Sequence, residues 1–270
     1  MDQWTIGIVG VGAMGSALVK GFVSSGSVAA QAVGLYDIDR ERVGKVAQET
    51  GCRIVPTLAD LVGTSRCIIL AVKPQQLPKL LKIIAPKLED HLVVSLAAGI
   101  DLNFLQQQLP AGCEVARVMP NTPALIGHGA IAVSFAANVS DERQGRLCRL
   151  LESVGSVVVV AETQMNAVTA LSGSGPAYVY LMLESLISAG VTAGLSRQVS
   201  RQLALETVIG AAKMVKSSGE HPAVLAAQVT SPGGTTAAGL RVLEAKGVRS
   251  GIIEAVLAAK ARAEEMGRDS

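Results

Sequence analysis

Three stretches of the chain carry residues whose types and spacing suit chemistry. The first is Gly10-Val11-Gly12-Ala13-Met14-Gly15, a G-x-G-x-x-G pattern lying between the apolar run Thr5–Val9 and a helical stretch from Met14 to Val23. Glycine is needed where such a loop turns tightly, where its backbone nears a pyrophosphate, and where helix meets strand; the helix N-terminus then faces the anion. Asp37 ends the second apolar run about 20 residues further on, as a dinucleotide-binding fingerprint asks. A carboxylate there accepts hydrogen bonds from a ribose 2′-hydroxyl and repels a 2′-phosphate, which favours NADH. Arg40 and Arg42 follow closely, and either can turn to hold a 2′-phosphate through a charge-assisted pair, so NADPH stays open.

The second stretch is Val229-Thr230-Ser231-Pro232-Gly233-Gly234-Thr235-Thr236. Ser231 reads as an N-cap and Pro232 as the first helical residue, while Gly233 and Gly234 leave backbone N–H groups unscreened. That arrangement suits a carboxylate, because a helix N-terminus offers donors and a favourable dipole without a charged side chain. Thr236 adds a hydroxyl one turn in. A plain helix cap accounts for the Ser and the Pro but not for paired glycines, costly in a helix, followed by two threonines.

The third group sits where apolar runs end. Ligands of open α/β sheets lie beyond the carboxyl ends of the strands, which puts Ala71, Val72, Lys73 and Pro74 near the nicotinamide half of a dinucleotide. Lys73 can orient a ribose hydroxyl or snorkel at the surface. Ser95-Leu96-Ala97-Ala98-Gly99 closes the next run with small residues; Ala97 and Gly99 leave room for a flat ring or permit close packing. Asn121 and Thr122 stand between Pro120 and Pro123, a rigid display of polar groups at a cleft edge. Ser172-Gly173-Ser174-Gly175-Pro176 reads as a capped start to a long apolar helix. His91, His128 and His221 lie in no triad-like context, and Cys52, Cys67, Cys113 and Cys148 lack paired spacing, so neither a metal site nor a disulfide framework is expected.

The elements that must position these residues follow from periodicity. Thr5–Val9, Val33–Tyr36, Arg66–Val72, Leu92–Leu96, Val115–Met119, Ala130–Phe135 and Ser156–Val160 read as strands separated by helical stretches. This predicts an α/β Rossmann-like domain over residues 1–162 with a mostly parallel sheet, its last strands able to turn antiparallel. After Ala161 the β-branched runs stop, and Ala, Leu, Gly and Ser dominate at helical spacing, predicting an all-α domain over 163–270. Between Gln164 and Ser196 the only charged residue is Glu184, so the helix there needs cover, and a second copy of the chain is the expected cover.

Composition narrows the function classes. The chain has 270 residues, 49% hydrophobic and 17% charged, with 24 Lys+Arg against 22 Asp+Glu, which argues for a nearly neutral folded protein without long disordered tails. Its few aromatics, with no Lys/Arg block interleaved among them, speak against nucleic acid as a partner. No apolar run approaches the ~18–20 residues of a membrane span, and Met1 leads into a strand pattern without a signal-peptide start, so a cytoplasmic location is expected.

Taken together the segments resemble the pyrroline-5-carboxylate reductase family. The resemblance rests on GVGAMG, AVKPQ at 71–75, SLAAGI at 95–100, MPNTP at 119–123, LSGSGPAY at 171–178 and, most specifically, VTSPGGTTAAGLRVLE at 229–244. It implies an NAD(P)H-dependent oxidoreductase that acts on the cyclic C=N bond of 1-pyrroline-5-carboxylate and makes proline. It further implies a Rossmann domain, a helical dimerisation domain, an active site where two subunits meet, and dimers able to assemble into rings. On this reading Gly10, Gly12, Ala13, Met14, Gly15 and Asp37 serve the cofactor with Ala71 to Pro74, Ala97 and Gly99. Ser231, Gly233, Gly234 and Asn121 serve the substrate, and Thr236 hydrogen-bonds the ring nitrogen. Ala13 stands where members commonly have Asn, and Asp37 departs from the residues common in NADPH-preferring members. A β-hydroxyacid dehydrogenase would need a Lys or His base in place of the Gly-Gly-Thr-Thr segment. A non-catalytic redox sensor would bind the dinucleotide without consuming it.

Overall fold

The computed structural model describes residues 4–268. Strands form where β-branched and aliphatic residues run together: β1 Ile6–Val9, β2 Val33–Tyr36, β3 Arg53–Ile54, β4 Cys67–Leu70, β5 Leu92–Ser95, β6 Glu114–Met119, β7 Gly129–Phe135 and β8 Gly155–Val159. The α-helices are α1 Ala13–Ser24, α2 Arg40–Thr50, α3 Leu58–Thr64, α4 Leu77–Ile84, α5 Leu102–Gln108, α6 Asp141–Glu152, α7 Met165–Val168, α8 Gly175–Thr192, α9 Arg197–Ser218, α10 Pro222–Gln228, α11 Thr235–Ala245 and α12 Val248–Arg268.

The strands build one eight-stranded sheet in the order β3-β2-β1-β4-β5-β6-β7-β8. Strands β1 to β6 run parallel, β7 is antiparallel to β6, and β8 is parallel to β7, so the direction reverses once. All four residues of β4 are 0% exposed, as a central strand covered on both faces requires. The sequence reading did not include β3, whose two residues are exposed at the sheet edge and too short to show a period. Side-chain caps start several helices: Asp39 accepts the N–H of Arg42 for α2, Thr57 that of Asp60 for α3, and Asp101 that of Phe104 for α5.

The chain divides into two compact units, one running to Ser174 and including the chain from Ala258 onward, the other Gly175–Leu257. This division falls later than the boundary read at Glu162 and assigns the end of α12 to the first unit. The reason lies in the packing: a Cβ at Gly99 would sit 3.4 Å from Met266 Cβ, so the end of the helix packs against the Gly99 loop of the first unit. Between α7 and α8 the chain takes a π-helical turn, Thr169–Gly173, rather than the capped start read at Ser172–Pro176.

In the second unit α8 packs along α9 with Gly190 against Ser200. Yet α8 contains no buried residue, and Val179, Tyr180, Leu181, Met182 and Leu186 are exposed. So much bare apolar surface around one helix marks an association surface. Among the described residues no helix is long and apolar enough to cross a membrane. Cys52, Cys67 and Cys113 are buried, Cys148 is half-buried, and all four are free thiols.

Candidate functional site

The register of the parallel strands fixes where the first site lies. Val9 pairs with Tyr36 and with Leu70, and Leu70 with Ser95, so β1, β2, β4 and β5 end level. Gly10, Asp37, Ala71 and Leu96 therefore emerge side by side at the carboxyl edge. With β2 on one side of β1 and β4 on the other, the glycine loop stands at the point where the strand order reverses, the ligand position of open α/β sheets.

Each glycine of the loop has a distinct task. Gly10 has φ +93°, and a Cβ there would lie 2.6 Å from the Ala71 carbonyl oxygen. Gly12 precedes α1 with nothing within 4 Å of an added Cβ, leaving an open approach to the helix N-terminus. Gly15 packs back onto the Gly10 carbonyl, which a Cβ would strike. No side chain caps α1 and its first turn holds no acidic residue, so its N–H groups and dipole face outward for an anion. These features fit a dinucleotide pyrophosphate.

Asp37 is 8% exposed and heavily engaged. Its Oδ2 accepts the N–H of Val11 at 2.8 Å and its Oδ1 the N–H of Asp39 at 3.0 Å, so it also shapes the glycine loop. Arg42 is held between Asp37 at 3.4 Å and Asp39 at 2.9 Å. Arg40 lies over the Tyr36 ring, 5.2 Å from its centroid, and donates to the Pro56 carbonyl at 2.6 Å. Both arginines thus have protein partners.

The other strand-end residues separate. Ala71 and Val72 are half-buried beside the glycine loop, and exposed Lys73 precedes a 3-10 turn begun by Pro74. Ala97 and Gly99, by contrast, are buried. Ala97 packs into the core and Gly99, at φ +77°, turns the chain against α12, so Leu96, Ala98 and the backbone make the accessible side of this loop. Asn121 is also placed differently from the expectation of a substrate contact: Nδ2 donates to the Ser172 carbonyl at 3.0 Å, and Oδ1 accepts the N–H of Ala130 at 2.9 Å. Its amide braces β7 and the π-helical turn.

In the second unit, Ser231 to Gly234 form a tight turn closed by the Gly234 N–H donating to the Ser231 carbonyl at 3.0 Å. Pro232 in the second position and Gly233 at φ +68° in the third match a type II turn. The cap of α11 is consequently Gly234, not Ser231, and Thr236 is its second residue. A Cβ at Gly234 would strike Ser231 Oγ and lie 3.2 Å from the Ser231 carbonyl oxygen, so a larger residue there would displace the serine hydroxyl. Ser231 and Gly233 are exposed, Gly234 and Thr236 half-buried. With the Gly234 N–H engaged in closing the turn, the segment offers the Gly233 N–H, a serine hydroxyl and a threonine hydroxyl at a helix N-terminus.

Sequence reasoning gave no role to Arg117 or to its partner Glu162; Arg117 is buried beside Ser95, and Glu162 is half-buried. The available signal was a charged residue in the middle of the apolar run Val115–Met119.

The fold and the glycine loop define a Rossmann-type NAD(P)-binding oxidoreductase with a helical association region. Residues 162–266 match the family model for pyrroline-5-carboxylate reductase dimerisation, and residues 5–99 match that for NADP oxidoreductase, coenzyme F420-dependent. A pyrroline-5-carboxylate reductase of Synechocystis is 40% identical over 97% of this chain and 98% of its own length. The Plasmodium falciparum pyrroline carboxylate reductase, solved with NADP bound, is 33% identical with TM-score 0.90 over 99% of each chain. The Coxiella burnetii enzyme is 29% identical with TM-score 0.93 over 98% of this chain and 99% of its own. The chain belongs to the pyrroline-5-carboxylate reductase family.

Proposed function

We propose that this chain reduces 1-pyrroline-5-carboxylate to L-proline with a reduced nicotinamide dinucleotide, working as a homodimer through the bare face of α8. Full-length similarity to reductases of this substrate carries the assignment. The bound cofactor supplies a hydride to the C=N carbon. A substrate entering as its iminium already bears the proton on nitrogen, so no strong base is required of the protein. The main tasks left to the chain are binding and orientation.

The glycine loop and the N-terminus of α1 hold the pyrophosphate, and Ala71 to Pro74 with the Leu96–Gly99 loop serve the nicotinamide end. The Gly233 N–H, the N–H groups that open α11 and the Ser231 hydroxyl hold the substrate carboxylate, while Thr236 hydrogen-bonds the ring nitrogen; the Gly234 N–H closes the turn itself. NADH is the preferred cofactor. Two observations support this preference: the Asp37 carboxylate at the end of β2 repels a 2′-phosphate, and Arg40 and Arg42 are tied to Pro56, Asp37 and Asp39.

Parallel assays of pyrroline-5-carboxylate reduction with NADH and NADPH test both parts. A higher kcat/KM with NADH is expected. An equal or higher value with NADPH overturns the preference, and consumption of neither overturns the enzyme assignment.

A further inference from the structure

Arg117 is a charged residue in the interior of the sheet, 2% exposed. It pairs across strands with Ser95 of β5 and Ser134 of β7, so the three buried side chains form one polar row on one face. Arg117 Nη1 meets Glu162 Oε1 at 2.6 Å, and the same oxygen accepts the N–H of Leu102 at 3.2 Å. At the other end of that segment, Ser95 Oγ accepts the N–H of Ala97 at 3.2 Å. Ser95 of the row and Glu162, the partner of Arg117, thus secure the N–H groups of Ala97 and Leu102 at the two ends of the loop.

This arrangement is a poor device for stability. Arg117 Nε and Nη2 and Glu162 Oε2 are buried with no hydrogen-bond partner among the described residues. An ion pair removed from water stabilises a fold only when its remaining donors and acceptors are also satisfied. What the pair does achieve is geometric, since it holds one carboxylate oxygen in one place against one backbone N–H.

We propose that Arg117 and Glu162 are positioning residues for hydride transfer: together with Ser95 they fix the shape of the Leu96–Gly99 loop, and through it the nicotinamide ring. The inference rests on the reading that this loop serves the nicotinamide end of the cofactor. Small displacements of a reacting ring are costly to rate even when binding is largely kept.

The test uses the full-length protein and the double variant Arg117→Met/Glu162→Met, which removes the pair without stranding a charge. Replacing a buried ion pair with apolar residues commonly preserves or raises stability. The expected result is an unchanged or higher Tm, unchanged affinity for ADP-ribose, which lacks the nicotinamide, and a fall in kcat of roughly 10- to 100-fold. A folded double variant with the original kcat overturns the proposal. Should that variant not fold, Ser95→Ala, which deletes only the acceptor for Ala97, is expected to lower kcat about tenfold at near-constant ADP-ribose affinity, and unchanged kcat overturns the proposal. Ala98→Leu, on the accessible side of the loop, separates the two readings. If it leaves NADH affinity unchanged, the loop does not serve the nicotinamide and both readings fall. If it weakens NADH while the double variant keeps its kcat, only the positioning role falls.

Discussion

Thr236 carries the most specific chemical expectation at the residue scale. Its hydroxyl sits in the first turn of α11, just after the Ser231–Gly234 turn. Removing one positioned donor costs on the order of 10²–10³ in rate, so Thr236→Ala is expected to lower kcat/KM for pyrroline-5-carboxylate by that factor, as read from consumption of the reduced cofactor. Unchanged kinetics would remove Thr236 from the mechanism. Cys67 makes a different prediction, about stability. Burial pushes its thiol from 9.0 up to about 12. The native state therefore holds this proton more tightly than the unfolded chain does, and the associated stability is present below pH 9.0 and lost as pH rises towards 12. Denaturation of the protein and of Cys67→Val across that interval should show a shallower alkaline loss in the variant; parallel curves would contradict it.

Turns decide the chemistry at the scale of elements. Gly10 combines a positive φ with a carbonyl oxygen where its Cβ would be, so Gly10→Ala is both strained and obstructed. A loss of about 1–3 kcal/mol is expected in chemical denaturation, with weaker dinucleotide binding measured on the folded fraction. A variant of original stability and affinity would refute this account of the loop. The Ser231–Gly234 turn shows how the same glycines can be read correctly for composition and incorrectly for place. Ser-Pro suggested a helix cap, but Gly233 at φ +68° lets the chain turn first, and the helix begins three residues later than Pro232, at Thr235. Of the two glycine N–H groups, that of exposed Gly233 survives the change, and that of Gly234 is taken up by the Ser231 carbonyl. Asn121 shows the opposite outcome, since its flanking prolines did signal rigidity but its amide is directed to Ala130 and Ser172.

For the whole molecule the decisive feature is the uncovered face of α8, on which Leu181 is 70% exposed. A carboxylate placed there would be desolvated in a dimer and harmless in a monomer. Leu181→Asp is expected to shift the protein to monomers at concentrations of about 1 μM or below, a cost of a few kcal/mol at a buried interface position, as followed by sedimentation. An unaltered dimer would show that another surface mediates association. The amino-acid sequence by itself determined the continuous apolar runs, the glycine spacing, the parallel α/β plan and the scarcity of charge after Gln164, because each is a local pattern imposed by backbone geometry and burial. Tertiary structure alone decided the rest. It turned Ala97 and Gly99 inward, bound Arg42 between two aspartates, and aligned Ser95, Arg117 and Ser134 in one row. Those outcomes depend on which strands become neighbours and in what register, and a contact between residues far apart in the chain leaves no periodic trace in either segment.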